Sequence, residues 1–230
     1  MLQRTLTVLI LATLSPAFGA EPPATRLCRP AELVTSEKFD HPEVFGPKGK
    51  PGDSGWRAGI GKWSIRDSAA YAIQEGPSEK RPNGHEAVCE YVTDLGDLVL
   101  TGEFKLADAP QVGFVCRDIN SPNLHLGRVV ITPTAIWIQK MSGIGKETRR
   151  EELTRIKVNL DPQAWHKITV EVCGDRWLAQ IDEHTLEASH ARFTDRKGRV
   201  GFVSRGEGAQ FRNVALWSAQ PAGSSAASKP

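Results

Sequence analysis

The chain has 230 residues, with 29 Lys and Arg against 27 Asp and Glu and a formal net charge of +2. Acidic and basic residues are interspersed, which argues against nucleic acid as the partner, since that needs a clustered basic face. The length suits one all-β domain of sandwich size.

The opening segment, MLQRTLTVLILATLSPAFGAEPP, places Arg4 before an apolar run, Leu6–Leu14, and ends in the small-residue exit Ala17-Phe18-Gly19-Ala20. This is the organisation of a secretory signal peptide cleaved near Gly19 or Ala20. The run is too short to span a bilayer. The expectation is therefore an exported protein, periplasmic or secreted, without stable membrane insertion. Loss of Arg4 lowers the formal charge from +2 to +1. Cys28 is not read as a lipidation site, because Thr25-Arg26-Leu27 lacks the small residues such a site needs. Residues 21–38 read as an extended lead-in, residues 39–217 as a single domain, and residues 218–230 as a small, polar, disordered tail. Cys28, Cys89, Cys116 and Cys173 all survive cleavage. In an oxidising compartment they allow one or two disulfides, and three connectivities stay open.

A Pro/Gly-rich loop, His41–Gly55, precedes a series of strand-like runs separated by turn signals. The first four are Gly61–Asp67, Ala69–Gln74, Ala87–Val92 and Leu98–Leu106. Val112–Asp118, Leu124–Thr132 and Ala135–Lys140 follow, and the charged segment Lys146–Arg155 reads as a solvated loop crossing. Ile156–Leu160, Gly198–Ser204 and Gln210–Trp217 complete the series around one hairpin, WHKITVEVCGDRWLAQIDEHTL. In that hairpin Ile168, Val170 and Val172 alternate with polar residues, and Gly174-Asp175 supplies a two-residue turn. The turn predicts Cys173 opposite Arg176, Val172 opposite Trp177, Val170 opposite Ala179 and Ile168 opposite Ile181. That register gathers the apolar residues of both strands on one face. Short strands at this spacing, with no long amphipathic helix, indicate an antiparallel β-sandwich or jelly roll.

The carboxylate pattern Glu-x-Asp-x-Glu, by which endoglucanases on this kind of fold place nucleophile and acid on one face, is absent. Glu86 and Glu90 are four apart without an intervening Asp, and Glu103 stands alone. His85-Glu86-Ala87-Val88-Cys89 approaches a zinc-binding H-E-x-x-H, but that motif needs a helix and Ala87–Val92 reads as strand. His125 and Arg128 are three apart, so they share a face only if Gly127 marks a bulge. Lys140, with Arg117 and Glu103, is a candidate to line the open face of a sheet. Trp63, Trp137 and Trp177 sit within apolar alternations and read as core, and Trp217 as a closing residue. Trp56 and Trp165 are the candidates for a sugar-stacking platform.

Taken in order, Phe39-Asp40, GKWSIRD at Gly61–Asp67, LVLTGEF at Leu98–Phe104, Trp165-His166, GRVGF at Gly198–Phe202 and Phe211-Arg212-Asn213-Val214 resemble the 3-keto-disaccharide hydrolase-like domain. This is a branch of the concanavalin A-like jelly rolls, and the likeness spans roughly Phe39 to Trp217. His85, the His125…Arg128 pair and Gln139-Lys140 are similar to polar positions of a subgroup of that family. The resemblance implies a carbohydrate partner and elimination and hydration of a 3-keto-glycoside. His125 or His85 would be the base, and Arg128 or Lys140 would stand against the developing enolate. It leaves a divalent metal open as a cofactor, with no ligand motif to hold it. The chain departs from the family at Asp182-Glu183-His184, where Asp-Gly is usual, and at Met141–Gly145, where related chains carry a His/Asp-rich stretch. Those departures favour the alternative, a non-catalytic carbohydrate-binding or surface-interaction module.

Overall fold

The computed structural model describes residues 20–121 and 124–222. The expected signal peptide, apart from Ala20, and the tail beyond residue 222 lie outside them. In chain order the strands are β1 (Cys28–Glu37), β2 (Trp56–Ile60), β3 (Lys62–Arg66), β4 (Ala69–Ile73), β5 (Ala87–Leu95), β6 (Leu98–Lys105) and β7 (Gln111–Asp118). They continue as β8 (His125–Ile131), β9 (Ala135–Ser142), β10 (Arg149–Lys157), β11 (His166–Cys173), β12 (Arg176–Ile181), β13 (His184–Ser189), β14 (Lys197–Arg205) and β15 (Glu207–Pro221).

These form two antiparallel sheets. One is eight-stranded, in the order β13-β12-β11-β6-β15-β4-β3 with β1 also paired to β15. The other is seven-stranded, in the order β10-β9-β8-β7-β14-β5-β2. Their inner faces enclose the main core, in which Phe104, Phe114, Phe202, Phe211 and Trp177 are fully buried. Phe202 and Phe211, one from each sheet, stack with centroids 4.3 Å apart. No helix among the described residues is long and apolar enough to cross a membrane.

The β11–β12 hairpin has the expected register throughout, with Gly174 at φ 55 in its turn. Its polar face is not left to solvent. Glu171 is buried beneath the N-terminal segment, where its carboxylate accepts the backbone N–H groups of Arg26, Leu27 and Cys28 at 2.7–3.1 Å. Leu27 and Cys28 pack there on Val99, Cys173, Leu178, Ala215 and Trp217. So the segment expected as a lead-in is a sheet strand, and Trp217 lies outside the sandwich under a second, smaller apolar layer. Three more strands depart from expectation. β2 and β13 carry no clean alternation, and β10 occupies most of the charged segment expected as a loop. Edge position explains β10: it pairs only with β9, so its outward residues meet water and are charged, a composition that also blocks edge-to-edge association.

Candidate functional site

The outer face of the seven-stranded sheet carries an arginine-rich array. Alternation on β5 sends Cys89 into the core and Glu90 outward, and on β7 it sends Cys116 inward and Arg117 outward. At the β7–β8 pairing the register shifts: Cys116 opposes Gly127 and Arg117 opposes His125, leaving Leu126 extra. This is a β-bulge, and it puts His125 and Arg128 on the same outer face. A Cβ on Gly127 would meet Phe193 at 2.7 Å and Trp177 at 3.1 Å, so glycine lets the bulged strand settle on the core.

Glu90, 2% exposed, is the centre of one cluster. It pairs with Arg117, and with Arg57 and Arg199 at 3.3 Å each. Arg117 in turn lies 2.7 Å from His125 Nε2. A guanidinium can only donate, so Nε2 is the acceptor and the proton of the neutral ring sits on Nδ1. Burial, helped by the charges of Arg117 and Arg128, depresses His125 to about 3. Its ring is therefore neutral at physiological pH.

Glu86 is the centre of the second cluster. Its carboxylate takes Arg128 at 2.8 Å, Arg205 at 2.8 Å and Gln111 Nε2 at 3.2 Å. Because β7 and β14 lie between β8 and β5, the Arg128–Glu86 bridge spans two strands. The small outward residues Val115 and Val203 beneath it form a buried apolar cluster with Val88. Burial raises the Glu86 carboxyl, but Arg128 and Arg205 outweigh it and hold the group at about 2. Glu86 is thus a permanent anion, unable to serve as a general acid. Glu86 and Glu90 are four residues apart along a strand, roughly 13 Å. Retaining and inverting glycosidases need much closer carboxyl groups.

Beside the Glu86 cluster opens a cleft of about 400 Å³, lined by Gln74, Asn83, Gly84, His85, Glu86, Arg150 and Arg205. His85 Nδ1 lies 2.8 Å from the Glu86 carbonyl oxygen and must donate to it, which leaves Nε2 as the ring's acceptor. Three buried donors on this face are left over. Arg57 Nε, Arg128 Nε and Gln139 Nε2 are buried with no hydrogen-bond partner among the described residues. The Gln139 amide is oriented by Trp137, whose Nε1 donates to Oε1 at 3.0 Å.

Of the candidate site residues singled out from the sequence, His85, Arg117, His125, Arg128 and Gln139 thus share one face. Lys140, Glu103, Trp165 and Trp56 do not. Lys140 opposes Gly127 and Glu151 in the sheet, hence lies on the core-side face at the strand end, and pairs with Glu151 at 2.7 Å. Glu103 sits in β6 of the other sheet, bound to Arg212 at 2.8 Å. Trp165 is on that same far side, with the Arg212 guanidinium 4.0 Å above its ring. Trp56 is 0% exposed, packed against Phe39, Tyr91 and Phe202, so no sugar can stack on it. Trp137, expected in the core, is half-buried on the outer face beneath the Arg155 guanidinium at 4.1 Å. Cys89 faces the core while His85 lines the cleft, so the near-zinc spacing builds no metal site. Among the described residues Glu37, Asp40 and His41 bring ligand-type atoms within 4.8 Å of one another, but at the end of β1 and away from the array.

Arg57, Arg150, Arg199 and Arg205 were not singled out from the sequence. The period-2 run Arg199-x-Gly201-x-Val203-x-Arg205 was a visible signal, but nothing local says that β14 lies between β5 and β7.

No family model matches the chain, and no curated protein matches it. Solved structures do. A carbohydrate binding module from Bacillus subtilis aligns at 15% identity over 71% of this chain and 96% of its own, with a TM-score of 0.58. The laminarinase from Rhodothermus marinus aligns at 12% identity over 84% of this chain and 99% of its own, with a TM-score of 0.57. A non-specific endo-beta-1,3(4)-glucanase aligns at 12% identity over 86% of this chain and 97% of its own, with a TM-score of 0.54. The protein is an antiparallel β-sandwich that shares the jelly-roll architecture of these structures. At these identities the likeness defines the fold, and function rests on the site.

Proposed function

We propose that this chain is an exported carbohydrate-binding jelly roll whose ligand lies on the outer face of the seven-stranded sheet, over the cleft between His85 and Arg150. The observation that carries this reading is the state of the two carboxylates. Glu86 and Glu90 are both locked to arginines, while the residues left facing the cleft are hydrogen-bonding groups suited to hydroxyls. A preformed concave site with a few convergent polar groups is the usual form of a small-ligand site. The carbohydrate binding module and the glucanases of the same fold support the ligand class.

A second reading, cleavage of a 3-keto-glycoside, rests on one specific feature: the His85 tautomer. With Nδ1–H tied to the Glu86 carbonyl, Nε2 holds a lone pair in a cleft that also presents Arg150 and Arg205. That is the pairing of base and cation that proton abstraction beside a keto group needs. His125 is the weaker base, because Arg117 already occupies its acceptor nitrogen. Incubation of the mature protein with a panel of neutral and charged glycans and with 3-keto-glucosides separates the readings. Saturable binding without sugar release is the expected result. Release of sugar that disappears in His85→Ala would replace the binding module with the enzyme.

A further inference from the structure

We propose that the saccharide taken by the cleft is anionic and carries uronate carboxylates. This rests on the carbohydrate reading above and goes further by assigning a charge class to the ligand. Cations outnumber carboxylates around the cleft. Arg128, Arg150 and Arg205 surround one carboxylate, Glu86, and two of those guanidiniums already bind it. Arg150 is exposed, lines the cleft and makes no ion pair among the described residues. Arg205 is half exposed, at 49%, so its outer N–H groups remain open to a ligand. The neighbouring cluster repeats the pattern, with Arg57, Arg117 and Arg199 all on Glu90. Covering Arg150 with a neutral sugar would strip water from a cation that has no carboxylate partner among the described residues, which is costly. A planar carboxylate offers two acceptors that match the guanidinium fork. His85 Nε2 and the Asn83 amide suit the hydroxyls of the same residue. The site is therefore built for a ligand with more acceptors than donors and with negative charge.

The test is isothermal titration of the purified protein with three probes: oligogalacturonate, the same oligomer methyl-esterified, and a neutral β-1,3-glucan oligosaccharide. The expected result is binding of oligogalacturonate that weakens at least about tenfold on esterification and again in Arg150→Ala, whose exposed side chain can be removed without touching the core. Arg205→Gln should act in the same direction, and circular dichroism checks that both variants fold. If the ester or the neutral glucan binds as tightly as the acid, the charge assignment fails while the carbohydrate reading stands. If no saccharide binds, both fail. If a sulfated glucan or a single-stranded DNA oligonucleotide binds as tightly as oligogalacturonate, the face attracts anions without recognising uronate, and the proposal is overturned.

Discussion

Glu86 and His125 make the stability of this protein sensitive to acid, and for different reasons. Glu86 is ionised in the fold down to about 2 but in the unfolded chain only to its ordinary 4.5. Its contribution is present above 4.5 and is lost as pH falls through 2, an effect of about 3 kcal/mol. His125 is neutral in the fold until about 3, whereas the unfolded chain takes up its proton near 6.5. Protonation therefore favours the unfolded state throughout that interval. Chemical denaturation at a series of pH values should show stability falling from about pH 6.5 downward. In His125→Asn the segment between 6.5 and 4.5 should flatten, whereas Glu86→Gln should lower stability at neutral pH and reduce the slope below 4.5, where His125 still contributes down to about 3. A His125→Asn profile identical to the parent would mean that the ring is solvated and not held against Arg117. These residues also show what was legible. The convergence of His125 with Arg128 could be read as conditional on a bulge at Gly127, since glycine there is the only local cue. That Arg117 would occupy the His125 acceptor depends on a cross-strand neighbour, which no local pattern identifies.

At the scale of elements, the hairpin β11–β12 was fully legible because its two-residue turn fixes the register and only one register buries every apolar side chain. The partners of β14 and the covering of β11 by the N-terminal segment were not, since both are long-range pairings whose residues read as ordinary surface strand. That covering has a covalent consequence. Cys28 of β1 and Cys173 of β11, both free thiols in this structure, are neighbours, each about 3.5 Å from the carbonyl beside the other, Val172 and Leu27 respectively. Cys89 and Cys116 lie on β5 and β7 with β14 between them, two strand spacings or roughly 9.6 Å apart. That exceeds the reach of a disulfide. Of the pairings open from sequence, Cys28 with Cys173 is the one this placement favours. Peptide mapping of protein matured in an oxidising compartment, without reductant, should find Cys28 linked to Cys173, the two electrons passing to a disulfide donor. Cys89 and Cys116 should react with alkylating agents only after unfolding. A linked peptide containing either of them would contradict the assigned strand order.

At the scale of the whole molecule, the two sheets divide the labour. The eight-stranded sheet has its outer face sealed in part by the N-terminal segment, with Glu103, Arg212 and Trp165 satisfied among themselves. The seven-stranded sheet leaves the cleft with Arg150 and Arg205 facing solvent, beside the buried Glu90, Arg117 and Arg128. Fold class was legible because strand spacing and one-sided alternation are local properties. Which outer face carries the arginine array and the cleft was not, because both carry charged and aromatic residues in the sequence. The central claim is that a saccharide is held on the arginine face, and hydrogen exchange read by mass spectrometry, with and without the tightest glycan of the panel, addresses it directly. The account predicts slowed exchange in peptides covering residues 74–86, 149–151 and 199–207, with β6, β11 and β12 unchanged. Protection confined to the eight-stranded sheet around Trp165 and Arg212, with none at the cleft, would contradict it.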